Sequence, residues 1–191
     1  MPTIMSHAIV PLAGALILGR SRLSVPVIAT GLVFAMLPDA DIVGFGLGVE
    51  YGDIWGHRGA SHSLVFAAAA SLFATAILRP DRYYAAAIFL FLSMASHGLL
   101  DMLTNGGLGV ALLWPFDEAR HFAPLTPIAV SPIGLSDFIS ARGIAVLYSE
   151  FVWIWMPIML VVAAGVAIRK RTYKWCKQNG MARSLPRVRI R

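Results

Sequence analysis

Cysteine is almost missing. Cys176 is the single one in 191 residues, which excludes an internal disulfide and any cysteine-based zinc knuckle. Charge is scarce as well: Asp, Glu, Lys and Arg make up 14% of the chain against 58% apolar residues, and the mean hydropathy is +0.71. This balance excludes a disordered tail protein and argues against a water-soluble enzyme, whose surface helices need a polar stripe. Familiar catalytic signatures are also absent. No H-E-x-x-H, G-x-S-x-G or Walker glycine loop occurs, so a zincin protease, a nucleophile-elbow hydrolase and a nucleotide motor lack their sequence basis.

What is present is apolar length. A helix needs roughly 20 apolar residues to cross a bilayer core of about 30 Å. Phe151 to Ile168 gives 18 without a charge, closed by Arg169-Lys170-Arg171, and Tyr83 to Leu100 gives another 18 behind Arg79-Pro80-Asp81-Arg82. Leu64 to Leu78 and Leu23 to Leu37 give 15 each, and Ala8 to Gly19 reaches spanning length only with Met1 to His7 included. The expected fold is an all-α polytopic membrane bundle of about five transmembrane helices. Residues 1–168 form its membrane-embedded domain and 169–191 a basic cytoplasmic tail.

The net charge of +6 is local. Nine Lys or Arg and no acid lie between Arg169 and Arg191, leaving seven bases against ten acids in the first 168 residues. Such a tail reads as a topology determinant and lipid-headgroup contact, and no nucleic-acid partner is expected. Basic residues mark cytoplasmic loops, and here the connections alternate: Arg20 and Arg22, then Arg79 and Arg82, then the tail, lie on one side. The N-terminus and the two long, acid-richer loops are expected on the other, outside an inner (plasma) membrane.

That topology gathers the titratable residues. His7, Asp39, Asp41, His57, His62, His97 and Asp101 all fall at the outer ends of spans, whereas the inner halves carry no Asp, Glu or His. Intramembrane ionisable groups are costly and mark function. His97 and Asp101 are spaced i, i+4 on one helical face, with Ser93 a turn before and Asn105 a turn after, and can chelate one cation or share an interhelical hydrogen bond. Pro38-Asp39-Ala40-Asp41 ends the second span with two carboxylates that can approach one metal, or divide between binding it and orienting a histidine. In His57-Arg58-Gly59-Ala60-Ser61-His62-Ser63, Gly59 breaks the chain so that Ser61 is expected to cap a helix starting at His62. Arg58 adds a planar cationic fork suited to phosphate or carboxylate oxygens. His121 and the Trp114, Trp153 and Trp155 side chains read as interfacial. The donor set of imidazole and carboxylate suits zinc first, manganese second.

In order, His7, Leu37-Pro38-Asp39-Ala40-Asp41, the His57 to Ser63 motif and His97-Gly98-Leu99-Leu100-Asp101 resemble the YdjM-like family of inner-membrane, metal-dependent hydrolases. The resemblance covers roughly residues 1 to 120. More distantly, the order is similar to that of zinc-dependent phospholipase C and the single-strand nucleases. The resemblance implies His7, Asp39 or Asp41, His62, His97 and Asp101 as metal ligands of a mononuclear or dinuclear centre, because the downstream ligands of a trinuclear site are lacking. The expected activity is hydrolysis of a phosphoester, a membrane lipid's being the simplest substrate, by a metal-activated water at the outer face. Arg58 would meet the developing charge, His57 would shuttle protons, and the spare aspartate, Asp41, would act as base or orienting partner. A divalent-cation or proton transporter using the same cluster is the alternative, although a relay would need polar residues in the inner halves.

Overall fold

The computed structural model describes residues 1–132 and 138–178. Among them the chain is helical and has no strands. Its helices are α1 (Ile4–Leu18), α2 (Val25–Phe34), α3 (Leu64–Leu78), α4 (Tyr83–Met102), α5 (Ala141–Glu150) and α6 (Met156–Gln178). A long 3-10 segment (Leu37–Leu47) follows α2, a 3-10 turn (Ala60–His62) precedes α3, and a π-helical turn (Phe151–Trp155) joins α5 to α6.

All five apolar runs are helical, but they are not equally long. α4, with 20 residues, and the rod Ala141–Cys176, with 36, are long and apolar enough to cross a membrane. α2 and the 3-10 segment qualify only as a pair, bent by 44°. α1 and α3 have 15 residues each, or about 22 Å of rise, short of the roughly 30 Å core. By length, the five expected spans therefore reduce to two, or three with the bent pair. The stops are local. Gly19 ends α1 at φ 76°, and Arg79 ends α3 in the left-handed region at φ 43°. Ser63 starts α3 by accepting a hydrogen bond from Phe66 N at 3.1 Å. The expected cap, Ser61, lies two residues too early, and His62 ends the 3-10 turn. The last rod begins ten residues before the apolar run, because Arg142 and Glu150 interrupt the hydropathy and not the helix.

α4 is the hub and packs against α1, α2 and α3, while α6 packs against α1. Association in lipid relies on close packing more than on burial from water, and small residues permit it. Ala67, Ser71 and Thr75 recur every fourth residue along the buried face of α3. Gly31 of α2 leaves room for the Phe89 ring, which a Cβ there would strike. Leu23, Val27, Phe34, Phe89, Leu90 and Met94 complete the apolar core. At the far end of α1, Arg169 of α6 donates from Nη1 to the carbonyls of Leu16 (2.9 Å) and Ile17 (3.2 Å), satisfying groups that a helix terminus leaves open. The start of α1, the end of α2, the start of α3 and the second half of α4 meet at the opposite end. The polar residues are there.

Candidate metal centre

Four helix ends deliver the cluster. His7 comes from the first turns of α1, Asp39 and Asp41 from the 3-10 segment, His57 and Arg58 from the following loop, His62 from the turn before α3, and His97 and Asp101 from α4. Gly98 makes the approach possible: a Cβ there would stand 2.6 Å from the His62 carbonyl. The turn can therefore lie against α4 beside His97.

Asp39, His62, His97 and Asp101 each offer one atom to a group lying within 4.8 Å, all four residues buried. His97 Nε2 lies 3.2 Å from Asp39 Oδ1 and 3.1 Å from His62 Nε2. His62 Nε2 lies 3.7 Å from both Asp39 Oδ1 and Asp101 Oδ2. His7 stacks on His97, centroids 3.8 Å apart and planes 15° apart, with Nε2 3.6 Å from Asp101 Oδ1. Among the described residues, both ring nitrogens of His7 and all four carboxylate oxygens of Asp39 and Asp101 are buried with no hydrogen-bond partner. Buried acceptors without donors are rare and costly.

The tautomers sharpen the point. His97 Nδ1 lies 2.7 Å from the Ala35 carbonyl, which can only accept, so Nδ1 carries the hydrogen and Nε2 is left with a lone pair. His62 Nδ1 sits 3.3 Å from Asp41 Oδ2 and 3.0 Å from Ser61 Oγ; Ser61 itself donates to Asp41 Oδ2 at 2.9 Å. The carboxylate draws the His62 hydrogen to Nδ1. Two Nε2 lone pairs then face each other and a carboxylate oxygen, an arrangement that needs a cation between them or a proton. Burial disfavours the charged ring, but Asp39 and Asp41 outweigh it and hold the His62 pKa up at about 9. Proton and metal compete for the same nitrogen.

Asp41 has a different environment. His57 Nδ1 lies 2.8 Å from its Oδ1, while Ser61 Oγ and Arg58 N (3.2 Å) donate to its Oδ2. Asp41, His57 and His62 form a second group of metal-competent geometry, sharing His62 with the first. Arg58, expected to meet substrate oxygens, is 1% exposed and committed elsewhere. Nε lies 3.0 Å from Asp101 Oδ2, Nη1 donates to Gly106 O at 2.7 Å and Nη2 to Thr104 Oγ1 at 3.0 Å. Its φ of 63° is unusual for a side chain larger than glycine and persists because these contacts fix it.

Several expected neighbours stand apart. Ser93 donates to Phe89 O, and Asn105 accepts from Val130 N. His121, half-exposed, pairs with Asp117 at 2.8 Å, and Trp153 is exposed. Sequence reasoning missed Thr104, the Ala35 carbonyl freed where α2 ends, and Arg120, which donates to the carbonyls of His57 (2.6 Å), Tyr51 (3.0 Å) and Asp53 (2.9 Å) and so holds the His57 loop. Only Arg120 carried a signal, as an isolated base in an acid-rich loop.

The family model "YdjM inner membrane protein" matches residues 1–173. Inner membrane protein YbcI of Escherichia coli (strain K12) is 44% identical over 167 residues, covering 85% of this chain and 95% of that protein. No solved structure matches significantly.

Proposed function

The chain belongs to the YdjM family of inner membrane proteins, and from that premise we propose that its buried His/Asp cluster holds a divalent metal, zinc before manganese, for hydrolysis of a phosphoester. One observation carries the reading: the Nε2 atoms of His62 and His97 oppose each other at 3.1 Å beside Asp39, whose buried carboxylate oxygens accept no hydrogen bond among the described residues. Asp39, His62, His97 and Asp101 would hold the ion, with His7 beside them. The donor set fits a borderline-hard divalent cation. Such an ion supplies Lewis acidity, lowering the pKa of water toward neutrality.

The chain's own residues then divide the remaining work. Asp41 orients His62 through Nδ1, as a carboxylate behind a ligating histidine commonly does. His57, tied to Asp41 at Nδ1, is placed to take or return a proton at its other nitrogen. Arg58 balances Asp101 and fixes the Thr104 to Gly106 loop, a positioning role in place of the substrate contact expected from sequence. The slight exposure of Asp39 and Asp41 supports entry from the 3-10 segment's side. With the N-terminus outside, that side faces the outer headgroups, where a lipid phosphoester is the simplest substrate.

The test is hydrolysis of a chromogenic phosphodiester by purified full-length protein. Turnover that stops on chelation, returns with zinc and is lost in His62→Ala is expected. Stoichiometric metal without hydrolysis of this substrate or of a short-chain lipid phosphoester would overturn the enzyme reading. One observation favours the transporter alternative: the helix break after α2 sits at the site, as discontinuous helices do in carriers. Metal-dependent flux in proteoliposomes would support it.

A further inference from the structure

Three histidines reach the cluster, and they are not held alike. His62 and His97 each have Nδ1 fixed by an acceptor. His7 has neither ring nitrogen hydrogen-bonded among the described residues. Apart from the stack on His97, its place depends on the backbone of the first turn of α1. That turn is anchored from the far end of the chain.

Glu150 closes α5 and is fully buried. Its Oε1 accepts from Thr3 N at 2.5 Å, and its Oε2 accepts from Thr3 Oγ1 and Ser6 Oγ, both at 2.6 Å. Trp155 Nε1 donates to Ser6 Oγ at 2.7 Å. An indole can only donate, so the Ser6 hydrogen must point at Glu150. The π turn between Glu150 and Trp155 brings both side chains onto Ser6. Thr3 is the N-cap residue of α1, yet its side chain does not cap the helix. Its hydroxyl is taken by Glu150, while its carbonyl accepts from the backbone N–H groups of Ser6 (2.9 Å) and His7 (3.3 Å). An anion at a helix N-terminus is also favourable toward the helix dipole.

We infer that Glu150 is a positioning residue for His7: it caps α1 from 147 residues away and, by fixing Thr3 and Ser6, sets His7 against His97 and Asp101. The metal part of this inference rests on the function proposed above; the positioning part does not. Groups that orient metal ligands from behind typically change metal affinity by about 10–100-fold when removed. Here the orientation passes through backbone, because the His7 ring offers no hydrogen bond to hold.

The test uses full-length protein in detergent, with Zn(II) affinity measured by competition and the His7 Cε1–H signal by NMR. Glu150→Gln keeps the shape but removes the charge, and its NH2 forces the hydrogen bonds from the Thr3 and Ser6 hydroxyls to reverse. It is expected to weaken Zn(II) about 10-fold or more, to move the His7 signal and to leave that of His57 in place. In a His7→Ala background the same change should have little further effect on affinity. Ser6→Ala, a milder variant for the case that Glu150→Gln fails to fold, should move the His7 signal in the same sense. An unmoved His7 signal in the folded variant, or an undiminished Glu150→Gln penalty without His7, would overturn the inference. Wild-type protein that binds no Zn(II) while its His7 signal still responds would overturn the metal function and leave Glu150 as the support of His7.

Discussion

Two His/Asp groups lie side by side and share His62, yet they are finished differently. In the Asp41/His57 group each carboxylate oxygen has a donor at hydrogen-bond distance: His57, Ser61 and the Arg58 backbone. In the Asp39/His97/Asp101 group no carboxylate oxygen accepts a hydrogen bond among the described residues; Asp101 has only the ion pair with Arg58 Nε at 3.0 Å, and Asp39 faces histidine nitrogens. Metal-competent spacing is common to both. The difference teaches that spacing alone does not mark an ion site; an unmet need for a cation does. The Asp41/His57 group is complete as a hydrogen-bonded support, and the Asp39/His97/Asp101 group is complete only with a cation.

That contrast can be broken by substitution. Asp39→Ala removes an oxygen facing both His62 and His97 and should abolish stoichiometric binding, weakening Zn(II) by more than about 100-fold. Asp41→Asn replaces one accepting oxygen by an NH2 that faces either His57 or the Ser61 O–H and Arg58 N–H donors. It disturbs the support of His62 without removing a ligand facing both histidines, so a smaller loss of about 10–100-fold is expected. Equal losses measured by competition titration would erase the distinction.

Arg58 supplies the fixed positive charge beside Asp101. Arg58→Met leaves the buried Asp101 carboxylate uncompensated and should destabilise the metal-free protein by about 3–5 kcal/mol. Added zinc should recover part of this through binding to the folded state, observable as a concentration-dependent rise in Tm. Failure of zinc to raise the variant's Tm would detach Arg58 from the ion site.

Acidity tests the proton as a substitute for the ion. The His62 pKa is raised from 6.5 to about 9 in the folded state. Its contribution to metal-free stability is therefore fully present below 6.5 and is lost as pH rises through 9. Thermal melts should show the metal-free protein weakening between those values, and zinc affinity should rise over the same window as the competing proton leaves. A flat metal-free profile would mean that His62 needs neither partner. The smallest effect is expected at the exposed Asp117/His121 pair, which makes a similar 2.8 Å contact in solvent. Its carboxyl pKa is lowered by the Ala119 backbone N–H first and by His121 second. Asp117→Asn should leave Tm and zinc affinity within experimental error.

Much of the candidate site was legible because charge is so scarce. Once Lys and Arg were assigned to one side, His7, Asp39, Asp41, His57, His62, His97 and Asp101 had to share the other, and they do share one end of the bundle. The i, i+4 spacing of His97 and Asp101 survived intact, since it lies within one helix. What was not legible was set by tertiary partners. Glu150 stood out by no local signal, lying just before the apolar run that starts at Phe151; its partners are Thr3 and Ser6, more than 140 positions away. Arg58 read as a ligand for substrate because nothing local showed Asp101 and Thr104 waiting for it. Hydropathy located five helices but overstated two, whose ends are decided by Gly19 and by Ser63 and Arg79 at single backbone positions.

The central claim is that the donor-poor group, and not its hydrogen-bonded neighbour, holds the ion. X-ray absorption on zinc-loaded full-length protein tests it most directly, because scattering from imidazole rings is distinguishable from that of carboxylate and water. One zinc per chain with two or three imidazoles is expected, falling by one imidazole in His97→Ala and unchanged in His57→Ala. A spectrum that loses an imidazole in His57→Ala but not in His97→Ala, or a protein that retains no stoichiometric zinc, would contradict it.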